Sequence, residues 1–264
     1  MTDATPELVR LEHRGAIAIV TIDRPARMNA LSRATVERIG AIGRELAADS
    51  SVRACVLTGA GEKAFCAGAD LKERQGMTRE QVREMLGLYQ SELGWLAASD
   101  FPTVAAINGA ALGGGLELAL TCDLRSATES AVLGLPETSL AIIPGAGGTQ
   151  RLPRLIGEAR ALDLILTGRR IGAQEALNWG LLNLLVPAAE NTLDATLKWL
   201  EPLAHGAPIA QRAALQAVRA GSRLPLDQGL VFERDQYERC LQSSDREEAL
   251  TAFAEKRKPE FRGQ

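Results

Sequence analysis

Two histidines in 264 residues, His13 and His205, stand apart from each other and from any cysteine run. No HExxH, GxSxG or His/Cys cluster occurs, which argues against a catalytic metal and against a Ser-His-Asp relay. The four cysteines, Cys55, Cys66, Cys122 and Cys240, have no CxxC spacing for zinc or redox work and read as reduced thiols of a cytoplasmic protein. Positive charge is not in excess: 30 Lys and Arg face 33 Asp and Glu, a net charge of −3, so nothing electrostatic points to nucleic acid. Residues 1–14 lack an apolar core and carry acids, so no secretory or organelle-targeting leader is expected there. Long linkers, low-complexity tracts and short-period repeats are also missing.

What is present is an alternation of short apolar runs with amphipathic stretches. Residues 8–12 and 16–22, broken at Gly15, alternate like a β-hairpin. Ser32 is a good N-cap for a helix over 32–48, where Val36, Ile39, Ile42 and Leu46 recur at helical spacing. Strands covered on both faces are expected at 52–58 and 103–108, with a helix over 77–99 between them. Alternation continues through 124–127, 147–156, 158–167, 173–179 and 182–186, an α/β pattern of repeated right-handed crossovers. After Pro187 only helices are expected, at 190–205, 208–220, 225–242 and 245–256. The chain therefore divides into an α/β core, residues 1–187, and a helical region, residues 188–264. The latter has no sheet of its own and must pack on the core or on another subunit.

Four stretches carry candidate chemistry. Ala110-Ala-Leu-Gly-Gly-Gly-Leu-Glu-Leu-Ala-Leu-Thr-Cys122 opens an apolar helix on glycines, although each glycine costs about 1 kcal/mol of helix propensity against alanine. Asn108, Glu117 and four glycines argue against a membrane span over residues 103–122. A bare helix start can aim unpaired N–H groups at a developing negative charge, and Glu117 shares a face with Gly114. A buried core helix with a satisfied glutamate would read the same way. Lys63-Ala-Phe-Cys-Ala-Gly-Ala-Asp-Leu71 ends a strand in small residues, which either frees the Ala69 N–H for a pocket or makes an ordinary tight turn. In Leu133-Gly-Leu-Pro-Glu-Thr138, Pro136 stiffens the backbone before Glu137, a fixed site group or a solvated loop carboxylate. Ile143-Pro-Gly-Ala-Gly-Gly-Thr-Gln150 lacks both the Gly-Lys-Ser/Thr of a phosphate loop and the third glycine of a dinucleotide fingerprint.

Together these stretches resemble the crotonase (enoyl-CoA hydratase/isomerase) family over essentially the whole chain. The matching residues are Arg24-Pro25…Asn29-Ala-Leu31, Ala67-Gly-Ala-Asp-Leu71, Asn108-Gly…Leu112-Gly-Gly-Gly115, Glu117-Leu-Ala, Cys122-Asp123, Pro136-Glu137, Pro144…Gly147-Gly-Thr-Gln-Arg-Leu152 and Phe253…Glu255-Lys256-Arg257. The resemblance implies an α/β crotonase (ClpP-like) spiral of ββα units with a C-terminal helical trimerisation region. It implies an acyl-CoA substrate whose thioester oxygen sits between the N–H groups of Ala69 and Gly114. It makes Glu117 and Glu137 the two carboxylates of a hydratase, since isomerases of the family keep the second and usually not the first. Arg27, Met28, Ala67, Leu71, Phe253 and Lys256 carry over as contacts to coenzyme A, Lys256 reaching its phosphates from a neighbouring subunit. No metal or further cofactor is implied, and the assembly expected is a homotrimer or a dimer of trimers.

Cys66-Ala-Gly-Ala-Asp-Leu-Lys-Glu-Arg74 and Gly134-Leu-Pro-Glu-Thr…Leu140-Ala-Ile-Ile-Pro144 look especially like the methylglutaconyl-CoA hydratases, and a broad short-chain enoyl-CoA hydratase is the rival within the family. An enoyl-CoA isomerase, or a binder of acyl-CoA or RNA without turnover, is the alternative outside hydration. One member of the methylglutaconyl branch binds RNA through a lysine-rich helix, but residues 32–48 here contain no lysine. A methylglutaconyl chain carries a second carboxylate, for which Arg79 or Arg83 could supply the cation, although both also read as ordinary solvated helix arginines.

Overall fold

The computed structural model describes residues 8–264, so residues 1–7 of the stretch read above as no leader lie outside the described residues. The chain divides into two compact units, one reaching residue 99 and resuming over 103–198, the other comprising 100–102 and 199–264.

In the first unit, β1 (Val9–Arg14) and β2 (Ile17–Ile22) pair antiparallel across Gly15. Helix α1 (Arg33–Ala47) follows, its Ser32 side chain accepting the Thr35 N–H. Val36, Ile39, Ile42 and Leu46 bury one stripe of it, of order 6–12 kcal/mol before the entropy of ordering is subtracted. Strand β3 (Ala54–Gly59) is buried throughout and joins β2 in parallel. The chain then leaves this sheet for β4 (Ala64–Cys66), the short helix α2 (Leu71–Arg74), and α3 (Arg79–Leu93) with α4 (Trp95–Ala98). The single helix expected over 77–99 is thus divided at Gly94, which caps one segment and opens the next.

Each later turn of the chain adds one strand to each of two sheets. Strand β5 (Thr103–Ile107) extends the first sheet and β6 (Ala110–Leu112) the second. The glycine-rich helix α5 (Gly114–Thr121) therefore follows β6, and the first residues of the stretch 110–122 are strand, not helix. Strands β7 (Leu124–Thr128) and β8 (Val132–Gly134) repeat the step, followed by α6 (Gly148–Ile156) and α7 (Glu158–Thr167). Strand β9 (Arg170–Gly172), helix α8 (Ala173–Asn178) and strand β10 (Leu184–Val186) complete the unit. The large sheet runs β1-β2-β3-β5-β7-β10 and the small one β4-β6-β8-β9, with β9 antiparallel to β8. This is the spiral of ββα units expected of the crotonase fold. Helix α9 (Thr192–Trp199) lies almost wholly within the first unit, because Thr196 meets Ser126 of β7 in a buried hydroxyl pair at 2.6 Å.

The second unit holds α10 (Glu201–His205), α11 (Pro208–Gly221), α12 (Leu226–Leu241) and α13 (Ser244–Glu255). Its chain end is tied back by Asp245, which accepts the N–H groups of Arg262 and Gly263 at 2.7 and 2.9 Å. Helix α12 buries no residue, and Leu226, Val231, Leu250 and Phe253 are exposed. No helix among the described residues is long and apolar enough to cross a membrane.

Candidate active site

Three adjacent parallel strands of the small sheet, β4, β6 and β8, end side by side; β4 leads to Ala69, β6 to Gly114 and Glu117, and β8 to Glu137. After β4 the chain turns through Ala67-Gly68-Ala69. Leu31 pairs with this turn as an isolated bridge, donating its N–H to Gly68 O at 2.8 Å and accepting that of Asp70 at 3.0 Å. That pairing directs the Ala69 N–H away from Leu31. After β6, the Gly113 N–H still bonds Gly134 O at 2.9 Å, and Gly114 then starts α5, its N–H beyond the reach of any earlier turn. Among the described residues neither N–H has an acceptor; both residues are half-buried in the cavity lining, which leaves their donors open to a ligand.

Close approach of backbone makes the pair possible. Gly68 sits at φ +95°, and a Cβ on it would stand 2.8 Å from Leu112 O and 3.0 Å from the Gly114 nitrogen. A side chain there would drive the two donors apart. On Gly115, a Cβ would overlap the Cys66 carbonyl, so α5 seats against the end of β4 only with glycine.

The turn after β4 is braced by the Arg24-Pro25…Asn29 segment. Asn29, wholly buried, donates to Ala60 O at 3.0 Å and Ala64 O at 2.7 Å and accepts the Arg24 N–H at 3.0 Å. Arg24 pairs with Asp70 at 2.8 Å and also donates to Ala30 O. Burial pushes the Asp70 carboxyl up, but the Arg24 guanidinium and two backbone N–H groups more than offset it and hold it below its usual range.

Glu117, 3% exposed, projects from the first turn of α5. Its Oε1 accepts the N–H groups of Ala146 at 2.8 Å and Gly148 at 2.7 Å. This is the work of the glycine loop before α6, which the sequence left without a role. Burial pushes the Glu117 carboxyl up, and those two donors with Arg151 oppose the shift. Glu137, 8% exposed, begins the 3-10 turn Glu137–Leu140 just beyond β8. Its Oε2 is buried without a hydrogen-bond partner. Burial, aided by the charge of Glu117, pushes its carboxyl up to about 7, against the pull of its own N–H and of Arg74. The environments of the two acids differ in one respect: Glu117 has donors that favour its anion, and Glu137 has an orphan oxygen that favours its acid.

All four groups face one cavity of about 680 Å³, large enough for a small-molecule ligand. Ala67 and Leu71 line it too, as do the apolar side chains Val82, Leu86, Leu140, Ile142 and Ile143. Arg27 and Met28 do not; they form the turn after Pro25, where Met28 O accepts the Ala67 N–H at 3.0 Å. Phe253 and Lys256 lie in the second unit, Phe253 86% exposed and Lys256 at φ 56° closing α13. Arg79 and Arg83 are absent from the lining, and Arg83 is engaged with Glu80 at 3.0 Å on the surface. In their place the cavity holds Arg74, Tyr89 and Arg170, which the sequence reading missed. Among the described residues no group of three or more His, Cys, Asp or Glu is placed to hold a metal ion.

Residues 12–264 match the model of the enoyl-CoA hydratase/isomerase family. The crystal structure of an enoyl-CoA hydratase from Bacillus anthracis superposes with a TM-score of 0.95 at 46% identity, covering 98% of this chain and 100% of that one. A short-chain-enoyl-CoA hydratase of Clostridium acetobutylicum is 41% identical over 252 residues, 96% of each chain. A mitochondrial methylglutaconyl-CoA hydratase of Pyricularia oryzae is 41% identical over 298 residues, 94% of this chain and 83% of that protein. The chain therefore belongs to the enoyl-CoA hydratase/isomerase, or crotonase, family and is an enzyme of that family's acyl-CoA chemistry.

Proposed function

We propose that this enzyme adds water to, or removes it from, the 2,3 double bond of a short branched enoyl-CoA, with 3-methylglutaconyl-CoA and its hydrated product as the pair it prefers. The observation that carries the reading is two buried carboxylates facing one apolar cavity beside two unpaired backbone N–H groups.

In this reading the thioester oxygen lies between the N–H groups of Ala69 and Gly114. Charge that builds on it as water attacks C3 is met by donors already in place, each worth roughly 2.7–4 kcal/mol in comparable sites. Glu117, ionised, takes a proton from the attacking water, and Glu137, protonated, delivers one to C2. In dehydration the roles reverse. Water adds across the double bond, its oxygen to C3 and a proton to C2, with no net oxidation or reduction, so the chemistry calls for no cofactor beyond the substrate thioester. Ala67 and Leu71 would flank the pantetheine arm. The exposed apolar side chains of the second unit, Phe253 among them, together with Lys256 would meet other copies in a homotrimer or a dimer of trimers, Lys256 reaching coenzyme A phosphates across the interface. The free cysteines suit a cytoplasmic setting.

The broad short-chain hydratase remains the second reading, favoured by the apolar lining and by the Clostridium relative. Rates with 3-methylglutaconyl-CoA and crotonyl-CoA measured side by side separate the two. A higher kcat/KM for the first supports the methylglutaconyl assignment, and a higher value for crotonyl-CoA replaces it with the general hydratase. No turnover of either sinks hydration.

A further inference from the structure

The two N–H groups that meet Glu117 Oε1 come from Ala146 and Gly148, on either side of Gly147 at the entry to α6. Arg151, the fourth residue of that helix, fixes this entry. Its Nη1 donates to Ala146 O at 3.0 Å, and its backbone N–H bonds Gly147 O at 2.8 Å. The guanidinium lies over Gly147, where a Cβ would overlap it. One residue thus grips the loop by both backbone and side chain. A cation near the start of a helix opposes the helix dipole, so a nearby anion favours its placement. Glu117 supplies one, and the charge of Arg151 favours the ionised form of that carboxyl, as the two N–H groups do. Arg151 is half-buried and absent from the cavity lining, so it acts on Glu117 from behind.

The other charged and titratable groups around Glu117 are few. Glu137 feels its charge across the cavity, and so does Tyr89 of α3. Burial pushes up the Tyr89 hydroxyl and the Cys66 thiol of β4, so both stay neutral. Arg74 acts on Glu137 and Tyr89, Arg125 lies at the far end of α5 on the Cys122 carbonyl, and Arg154 of α6 is exposed. Strands β5 and β6 bring no titratable side chain.

We propose that Arg151 is a positioning residue for water activation, holding the Ala146-Gly147-Gly148 step so that two N–H groups and one positive charge keep the Glu117 carboxylate in place as base. The inference rests on Glu117 being the base of the proposed hydration and adds the residue that sets it.

The test is the pH profile of crotonyl-CoA hydration by the full-length protein. This direction needs Glu117 ionised, so kcat climbs with pH as that carboxyl loses its proton. Arg151→Met removes both the clamp and the charge. It should move the acid limb up by about one pH unit, the low end for losing an opposite charge beside a carboxylate. Below that limb kcat should fall about tenfold while KM stays within about twofold, because Arg151 touches no substrate. Arg151→Lys should return part of the loss. A wild-type acid limb in Arg151→Met overturns the inference, as does a raised KM with kcat unchanged. If circular dichroism shows Arg151→Met unfolded, Arg151→Gln, which also lacks the charge, decides, and a wild-type acid limb in it is refutation. If the wild type hydrates neither crotonyl-CoA nor 3-methylglutaconyl-CoA, the proposed reaction falls. The Glu117 carboxyl is then followed by carbon-13 NMR of protein labelled at glutamate Cδ, its signal assigned with Glu117→Gln. A titration displaced upward in Arg151→Met upholds the role of Arg151, and an unchanged one refutes it.

Discussion

Replacing Glu137 by glutamine should stabilise the protein above neutrality, and the size of the effect follows from its surroundings. The carboxyl is buried, its Oε2 is unpartnered, and its pKa is pushed from 4.5 to about 7, burial being the largest cause and the charge of Glu117 adding to it. Arg74 works the other way but does not cancel the rise. A carboxyl raised in this manner holds its proton more tightly folded than unfolded. The stability it contributes is complete below pH 4.5 and is lost as pH climbs to about 7. A difference of 2.5 units between 4.5 and about 7 corresponds to roughly 3 kcal/mol. The Glu137→Gln variant keeps the shape and cannot ionise, so it should match the wild type near pH 4.5 and exceed it by up to about 3 kcal/mol at pH 8. At about 2–4 °C per kcal/mol, its unfolding midpoint should lie roughly 6–12 °C higher at pH 8. Thermal unfolding followed by circular dichroism at both pH values reads this directly. Equal midpoints at pH 8, or a less stable variant, would refute the claim that burial holds this acid neutral.

The same titration should appear in catalysis: kcat/KM for hydration should fall as pH rises through about 7, where Glu137 loses its proton, and that for dehydration should rise. Gly68→Ala should lower kcat at least about a hundredfold in a steady-state assay, because its Cβ wedges between Leu112 O and the Gly114 nitrogen and spreads the two donors. Asn29→Ala should cost about 2–4 kcal/mol in chemical denaturation, since it orphans the buried Ala64 carbonyl, the half-buried Ala60 carbonyl and the Arg24 N–H that brace the turn after β4.

Much of the large sheet was legible in the sequence. Runs such as 52–58 and 103–108 are long enough to show as buried strands, and the Ser32 cap with its apolar stripe marks α1. Of the small sheet only the strand end before Ala67 was legible, and this is the sheet that carries the candidate site. Strands β4, β6, β8 and β9 are three residues each, too short for an alternation to register. The glycine motifs stood in for them: Gly68, Gly113 and Gly148 mark where backbone crowds the two donors or the glutamates, so the four central residues could be named without their strands. The loop at 143–148 looked like a failed nucleotide motif because its real partner, Glu117, is 29 residues from Ala146 in the chain. Arg74 and Tyr89 were missed for a related reason. An arginine in Lys72-Glu-Arg74 and a tyrosine at helical spacing look like surface and core until folding puts both on one cavity wall. Arg79 and Arg83, one turn further on, face elsewhere.

The central claim is that Glu117 and Glu137 act together in one addition of water, and a double-mutant cycle in kcat for crotonyl-CoA hydration tests it most directly. Each single glutamine variant should lose about 10²–10⁴ in rate, and the double variant should lose little more, because removing either acid already ends the shared step. Losses that multiply, or a single variant that keeps wild-type turnover, would contradict the account.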